Sequence, residues 1–237
     1  MILWDACGNR LLVVVEPADD ERLRAASHVA RHCFVDGERI ADGVAWFAPR
    51  DGHYRTAFFN PDGTAERLCG NSLLVAAAAL ANHKPATVRP FDYPSVEVHA
   101  PAHVEASACI PVDAAKRDES VHGPVFDTGS PHLVVERENV AGIDLEKLAR
   151  PLVESLAVNV TVYSVTRDVA TVRTFERGVN AETLACGTGA LAVALAVGRA
   201  VEVRYPGGVY AARAERRDGD YHWTLSTDGV RVRRCPT

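Results

Sequence analysis

Two segments half a chain apart share one design: ERLCGNSLLVAAAAL, ending at Leu80, and ETLACGTGALAVALAV, ending at Val197. Each sets a Cys-Gly pair just ahead of a run built almost wholly from alanine, leucine and valine. A helix that is apolar on every side has no face to offer water, so other structure must enclose it. Around both runs lie short, β-branched, alternating stretches bounded by turn residues, which is the pattern of strands. The chain therefore reads as a duplication, each copy holding one helix surrounded by sheet.

The first copy opens with strand residues from Ile2 to Glu16, broken by a turn at Cys7-Gly8-Asn9. Apolar spacing predicts a helix over Asp19–Cys33, capped by Asp19 or Asp20. Gly43–Pro49 and Tyr54–Phe59 form a strand pair about Arg50-Asp51-Gly52, and Asn60-Pro61-Asp62-Gly63 is a strong turn. A helix over Asn71–Ala81 follows, then strands between Thr87 and Ile110. The second copy repeats this order. Leu133–Glu136 is a strand, Leu145–Leu156 a helix, and Val160–Val165 and Ala170–Phe175 are strands. The helix Thr188–Ala200 comes next, with four closing strands. The charged, turn-rich stretch Pro111–His122 is the expected linker.

With 47% hydrophobic and 24% charged residues, the 237-residue chain has the composition of a soluble globular protein with an ample core. A formal charge of −5 gives no attraction for nucleic acid or an anionic membrane, so neither is an expected partner. The start, MILWDACGNRLLVVV, lacks a basic n-region, and no apolar stretch reads as a membrane span; the expected location is the cytoplasm. The six cysteines (Cys7, Cys33, Cys69, Cys109, Cys186 and Cys235) show neither C-x-x-C pairing nor Cys/His ligand spacing. No zinc site and no disulfide framework is expected. Cys7, Cys33, Cys109 and Cys235 read as small core residues.

Cys69 and Cys186 differ because each stands at the start of a buried helix. Unpaired amides there present partial positive charge, which on its own lowers a thiol's pKa. One thiol from each half, facing a small substrate from opposite sides, suits the removal of a proton from one face of a carbon and its return to the other. The α-proton of an amino acid is a very weak acid, so negative charge passing to the carboxylate also needs stabilising. Amides at Gly70-Asn71 and Gly187-Thr188 offer that, and glycine lets the backbone come close.

These features resemble the diaminopimelate epimerase family. The matching residues are Gly8-Asn9, Asn60-Pro61-Asp62-Gly63-Thr64 leading to Cys69-Gly70-Asn71, Gly129-Ser130-Pro131-His132, Asn159, and Glu176-Arg177-Gly178 leading to Glu182-Thr183-Leu184-Ala185-Cys186-Gly187-Thr188-Gly189. The resemblance implies an α+β fold of two pseudo-symmetric domains, each a curved mixed or antiparallel sheet wrapped around a central helix. The domains would span 1–112, with the final strand at about 229–237 joined to them, and 113–228; the site would lie in the cleft between. It implies Cys69 and Cys186 as the proton-transfer thiols, with His132 and Glu176 helping to deprotonate them. It also implies a carboxylate cradle at Gly70, Asn71, Gly187 and Thr188. Asn60, Asn159 and Arg177 would hold the distal end of an amino-acid substrate, and Asn9 would be a further contact. No cofactor, no metal and a homodimer are implied as well.

The chain departs from the family pattern at Arg10-Leu11, where aspartate and phenylalanine are usual, at Ser130, where asparagine is common, and at Gly43, near which a glutamine contacts substrate. Diaminopimelate is thus the leading substrate, and a racemase acting on another amino acid in a specialised pathway is the alternative. Two further readings are an isomerase using one acidic residue on a non-amino-acid substrate, and a non-catalytic thiol redox or binding protein.

Overall fold

The alanine-rich runs fold as the helices Gly70–Leu80 and Gly187–Val197, each beginning one residue earlier than the sequence pattern sets it. In both, the first eight residues are buried. Full enclosure is the favourable state for such a segment, since each apolar Å² removed from water contributes about 25 cal/mol. The computed structural model describes residues 2–81, 84–100, 104–111, 116–120 and 122–233. The reading of Cys109 and Cys235 as core side chains, and part of the expected linker, lie outside the described residues.

The sheet is built twice by the same series of pairings. Ile2–Ala6 turns back into Asn9–Val15, which runs parallel to Gly43–Arg50. That strand pairs antiparallel with His53–Phe59, which lies parallel to Ala86–Pro90. Val96–His99 and Val104–Pro111 then follow antiparallel. In the second half Gly123–Asp127 pairs antiparallel with Pro131–Glu136, and a parallel step leads to Asn159–Thr166. A hairpin into Val169–Glu176 and a parallel step to Val201–Tyr205 come next, with Gly208–Arg217 and Asp220–Thr227 antiparallel beyond. Val104–Pro111 pairs with Asp220–Thr227, so among the described residues hydrogen bonds run unbroken through an 18-stranded sheet. The last strand, Val230–Arg233, returns to pair with Ile2–Ala6. The fold is mixed α+β and dominated by sheet.

One apolar cluster surrounds both buried helices, with Leu73, Leu74, Leu191 and Leu225 at its centre. Smaller clusters lie under Leu23 and Trp46 in the first half and under the helix Leu145–Leu156 in the second.

Two expectations are corrected. The helix over Asp19–Cys33 is split into Asp20–Ala25 and Ser27–Ala30. Asp19 does cap its start, accepting from Arg22 N at 2.7 Å. The break follows where Ala26 N bonds back to Leu23 O and the His28 ring takes the Ala25 carbonyl at 2.5 Å, removing it from the helical ladder. The segment read as a linker, Pro111–His122, contains the strand Lys116–Ser120, paired antiparallel with Gly123–Asp127. A sheet edge recruits backbone groups whatever their side chains, so a polar composition did not prevent pairing.

Candidate active site

Cys69 and Cys186 are the N-cap residues of the two buried helices, both extended, with φ of −121° and −136°. Their carbonyls accept the first helical bonds, from Leu73 N at 3.2 Å and Ala190 N at 2.9 Å. The helix starts touch. A Cβ added at Gly70 would sit 2.8 Å from Gly187 Cα and C, and one at Gly187 would sit 2.9 Å from Gly70 Cα. Only glycine at both positions allows that approach. The contact sets the first-turn amides of the two helices side by side, and such amides have no carbonyl partner within their own helix.

Both cysteines line one cavity of about 40 Å³. Asn9, Asn60, Gly70, Asn71, Asn159, Glu176, Arg177, Gly187 and Thr188 line it too. Of the residues expected to act on or hold the substrate, His132 alone stands outside the lining. It is fully buried, with Nε2 at 3.0 Å from Thr188 Oγ1 and Nδ1 at 2.9 Å from Thr161 Oγ1. The Thr188 hydroxyl is also 3.4 Å from Cys186 Sγ, so the imidazole reaches that thiol through a hydroxyl bridge. The chain of hydroxyls continues from Thr161 to Thr174 and on to Tyr205, at 3.0 Å each. Burial, and then the charge of Arg177, lowers the His132 pKa to about 3, which keeps the ring neutral at ordinary pH.

The thiols reverse the electrostatic expectation. Burial pushes Cys69 up to about 12, against smaller lowering by the nearby Ser72 and Asn71 amides. Cys186 is pushed well above its ordinary value by burial and then by the charge of Glu176, although Thr188 and the Gly189 amide oppose the shift. The helix-start amides act in the predicted direction and are outweighed by desolvation. Glu176, which accepts from Thr183 Oγ1 at 2.5 Å, is raised to about 7, chiefly by burial and against smaller lowering by Thr183 and Cys186.

Asn9 and Asn71 have a different role from substrate contact alone. Both side chains donate to the carbonyl of Ala185, the residue before Cys186; for Asn71 the distance is 3.3 Å. Asn71 also accepts from Tyr210 Oη at 2.5 Å. Residues of the first half thereby fix the loop that presents the second thiol. At the other end of the cavity, Asn159 Oδ1 accepts from Arg177 N at 2.8 Å and its Nδ2 donates to Ser130 Oγ at 2.7 Å.

Sequence reasoning passed over Glu66, Thr183 and Asp42, all of which line the cavity. Glu66 sits in the short strand Ala65–Glu66, paired with the end of His53–Phe59. Its signal was available: a carboxylate three residues before the first Cys-Gly, inside a segment already marked as special.

No family model matches the chain. A diaminopimelate epimerase of Thermotoga maritima is 31% identical over 222 residues, which is 90% of this chain and 92% of that protein. That of Aquifex aeolicus is 32% identical over 229 residues, 82% and 80% of the two chains. The chain belongs to the diaminopimelate epimerase family. It is accordingly an enzyme of the isomerase class. Among solved structures, a PhzF-family phenazine biosynthesis protein of Enterococcus faecalis aligns with TM-score 0.63 at 15% identity, over 98% of this chain and 96% of that one. A methylitaconate-delta-isomerase aligns with TM-score 0.54 at 13% identity, over 98% and 93%. These two establish likeness of fold.

Proposed function

We propose that this diaminopimelate epimerase family member inverts the α-carbon of an amino acid by proton transfer between Cys69 and Cys186. The observation carrying the proposal is that two thiols, each at the start of its own buried helix, line a single cavity whose floor is the Gly70–Gly187 contact. On this reading the substrate carboxylate lies on the first-turn amides at Gly70-Asn71 and Gly187-Thr188, which take up negative charge as the α-proton leaves. One sulfur, as thiolate, accepts that proton, and the opposing thiol delivers its own to the other face. The enzyme ends with the charge on the second sulfur, and a proton passing between the thiols by way of the cleft restores the start. Glu176, poised near neutral pH beside Cys186, is the group that draws off the thiol proton. His132 serves as a neutral positioning residue that orients the Thr188 hydroxyl toward the same sulfur.

The repeated pairing order supports two units, 1–112 with the final strand at about 229–237 and 113–228, each sheet wrapped on its helix with the site between. A homodimer in the cytoplasm completes the reading. Thiols held this far above their ordinary pKa make poor redox sensors, which disfavours the non-catalytic alternative. Incubation with an amino acid in heavy water should replace the α-proton by deuterium, read by NMR. Cys69→Ala and Cys186→Ala should each abolish stereoinversion, and exchange continuing undiminished in both variants would refute the thiol pair.

A further inference from the structure

The relatives' name points to a substrate with two carboxylates, and the arginine that would grip the second one is already engaged. Arg177 Nη2 lies 2.9 and 3.1 Å from the two carboxylate oxygens of Glu66, and Nη1 donates to Ala157 O at 3.2 Å. Both ends of the guanidinium fork are thus committed. Glu66 comes from the first half and Arg177 from the second, so the pair spans the cleft. We infer that Glu66 fills the subsite for a distal carboxylate, and that the enzyme acts on α-amino acids bearing a single carboxylate.

The surrounding residues are organised around Glu66 in the same way. Asn60 Nδ2 donates to Glu66 Oε1 at 3.2 Å, and Ser130 Oγ donates to Oε2 at 3.4 Å. Asn159 holds Ser130 from behind and fixes the Arg177 backbone. Of the three side chains expected at the distal end of a substrate, Asn60 and Arg177 therefore bond a carboxylate supplied by the protein itself, and Asn159 reaches it through Ser130. The Glu66 side chain is only 11% exposed, so a competing carboxylate must expel a largely buried, multiply hydrogen-bonded group. It must also enter a cavity whose charged lining is Asp42, Glu66, Glu176 and the one guanidinium. Arg10 and Arg39 pair with Asp42, but among the described residues no cation forms an ion pair with Glu176, and like charge opposes a second anion there. A neutral side chain, or one that donates a hydrogen bond to Glu66, leaves the network intact.

This inference takes its reaction from the two-thiol reading, while its test by binding does not depend on turnover. Calorimetric titration of the full chain with L-alanine, L-leucine and L-lysine, and with LL- and meso-diaminopimelate, gives the affinity order. α-Proton exchange with the same compounds gives the activity order. We expect at least one single-carboxylate amino acid to bind tenfold or more tightly than either diaminopimelate isomer. Glu66→Gln keeps one acceptor oxygen, for Asn60, but removes the charge, and should narrow that gap tenfold by strengthening diaminopimelate binding; Glu66→Ala should act in the same direction. Tighter wild-type binding of diaminopimelate than of every single-carboxylate compound, or its weakening in Glu66→Gln, overturns the inference while leaving the thiol pair standing. Binding in the expected order with no exchange in any case keeps Glu66 as the occupant of the distal subsite and removes the thiol pair instead. No binding by either class at millimolar concentration overturns the inference.

Discussion

Replacing Glu176 by glutamine should make the protein more stable at alkaline pH and less active at every pH. The carboxyl is raised from 4.5 to about 7 in the folded state, chiefly because its burial penalises the ionised form. A carboxyl raised on folding adds stability that is fully present below its unfolded value and is lost as pH rises through its folded value. For Glu176 that loss runs from about pH 4.5 to about pH 7. At 1.36 kcal/mol per unit, the ionised side chain costs at most about 3 kcal/mol above neutrality, less whatever water entering the cleft recovers. Glutamine is neutral throughout, keeps an acceptor for Thr183 and removes this dependence. For a domain of this size such a difference corresponds to roughly 6–12 °C in Tm. The assay is urea unfolding of parent and variant at pH 5 and pH 8, reading variant minus parent. Groups common to both, such as the depressed His132, cancel in that difference. A gain in stability that is equal at the two pH values, or absent at pH 8, would show that Glu176 is not held ionised at a cost.

Gly187→Ala places a methyl 2.9 Å from Gly70 Cα and 3.0 Å from Leu225 Cδ2, so the helix starts must part; about 1–3 kcal/mol of stability should be lost by thermal unfolding, with activity falling further than the fold does. Thr188→Val removes the hydroxyl between Cys186 and His132, leaves the longer Asn159 Nδ2 contact at 3.4 Å to hold the ring nitrogen, and should cost about 1 kcal/mol, with kcat reduced while KM changes little. Thr188→Ser restores the hydroxyl and should recover kcat, an outcome that purely steric support by the threonine methyl would not give.

The buried helices were legible because an all-apolar run admits one environment, and the duplicated Cys-Gly start located both thiols. Short-range signals such as the Asp19 cap and the Arg50-Asp51-Gly52 turn were legible for the same kind of reason: the residue itself fixes the local geometry. Long-range relations were not. Nothing along the chain announces that Gly70 meets Gly187, or that Asn9 and Asn71 both reach Ala185 across more than a hundred residues. Glu66 stands beside a marked cysteine, yet its partner could not be read, because only the fold brings Arg177 to it. The sign of the thiol shift was missed for a related reason. A helix start is visible in sequence, whereas the depth at which it is buried is a tertiary property.

That depth determines when the thiols ionise. With Cys69 near 12 and Cys186 also far above its ordinary value, the unliganded site holds both as neutral thiols at physiological pH, and Glu176 is the group that titrates there. An amino acid bound as proposed, its carboxylate held on the helix-start amides, would bring an ammonium group up to Cys69, Cys186 and Glu176, which become anionic on losing a proton. Its positive charge favours the ionised form of each sulfur, and the more so in a dry cleft. Thiolate should therefore form on substrate binding and not before it, so that the free enzyme is spared oxidation. The ultraviolet absorbance of thiolate distinguishes the two cases. At pH 8 the free protein should show no signal that Cys69→Ala or Cys186→Ala removes, and saturation with a bound amino acid should produce one. A thiolate signal in the free enzyme, lost in either variant and unchanged by ligand, would mean that the amide dipoles prevail over burial after all.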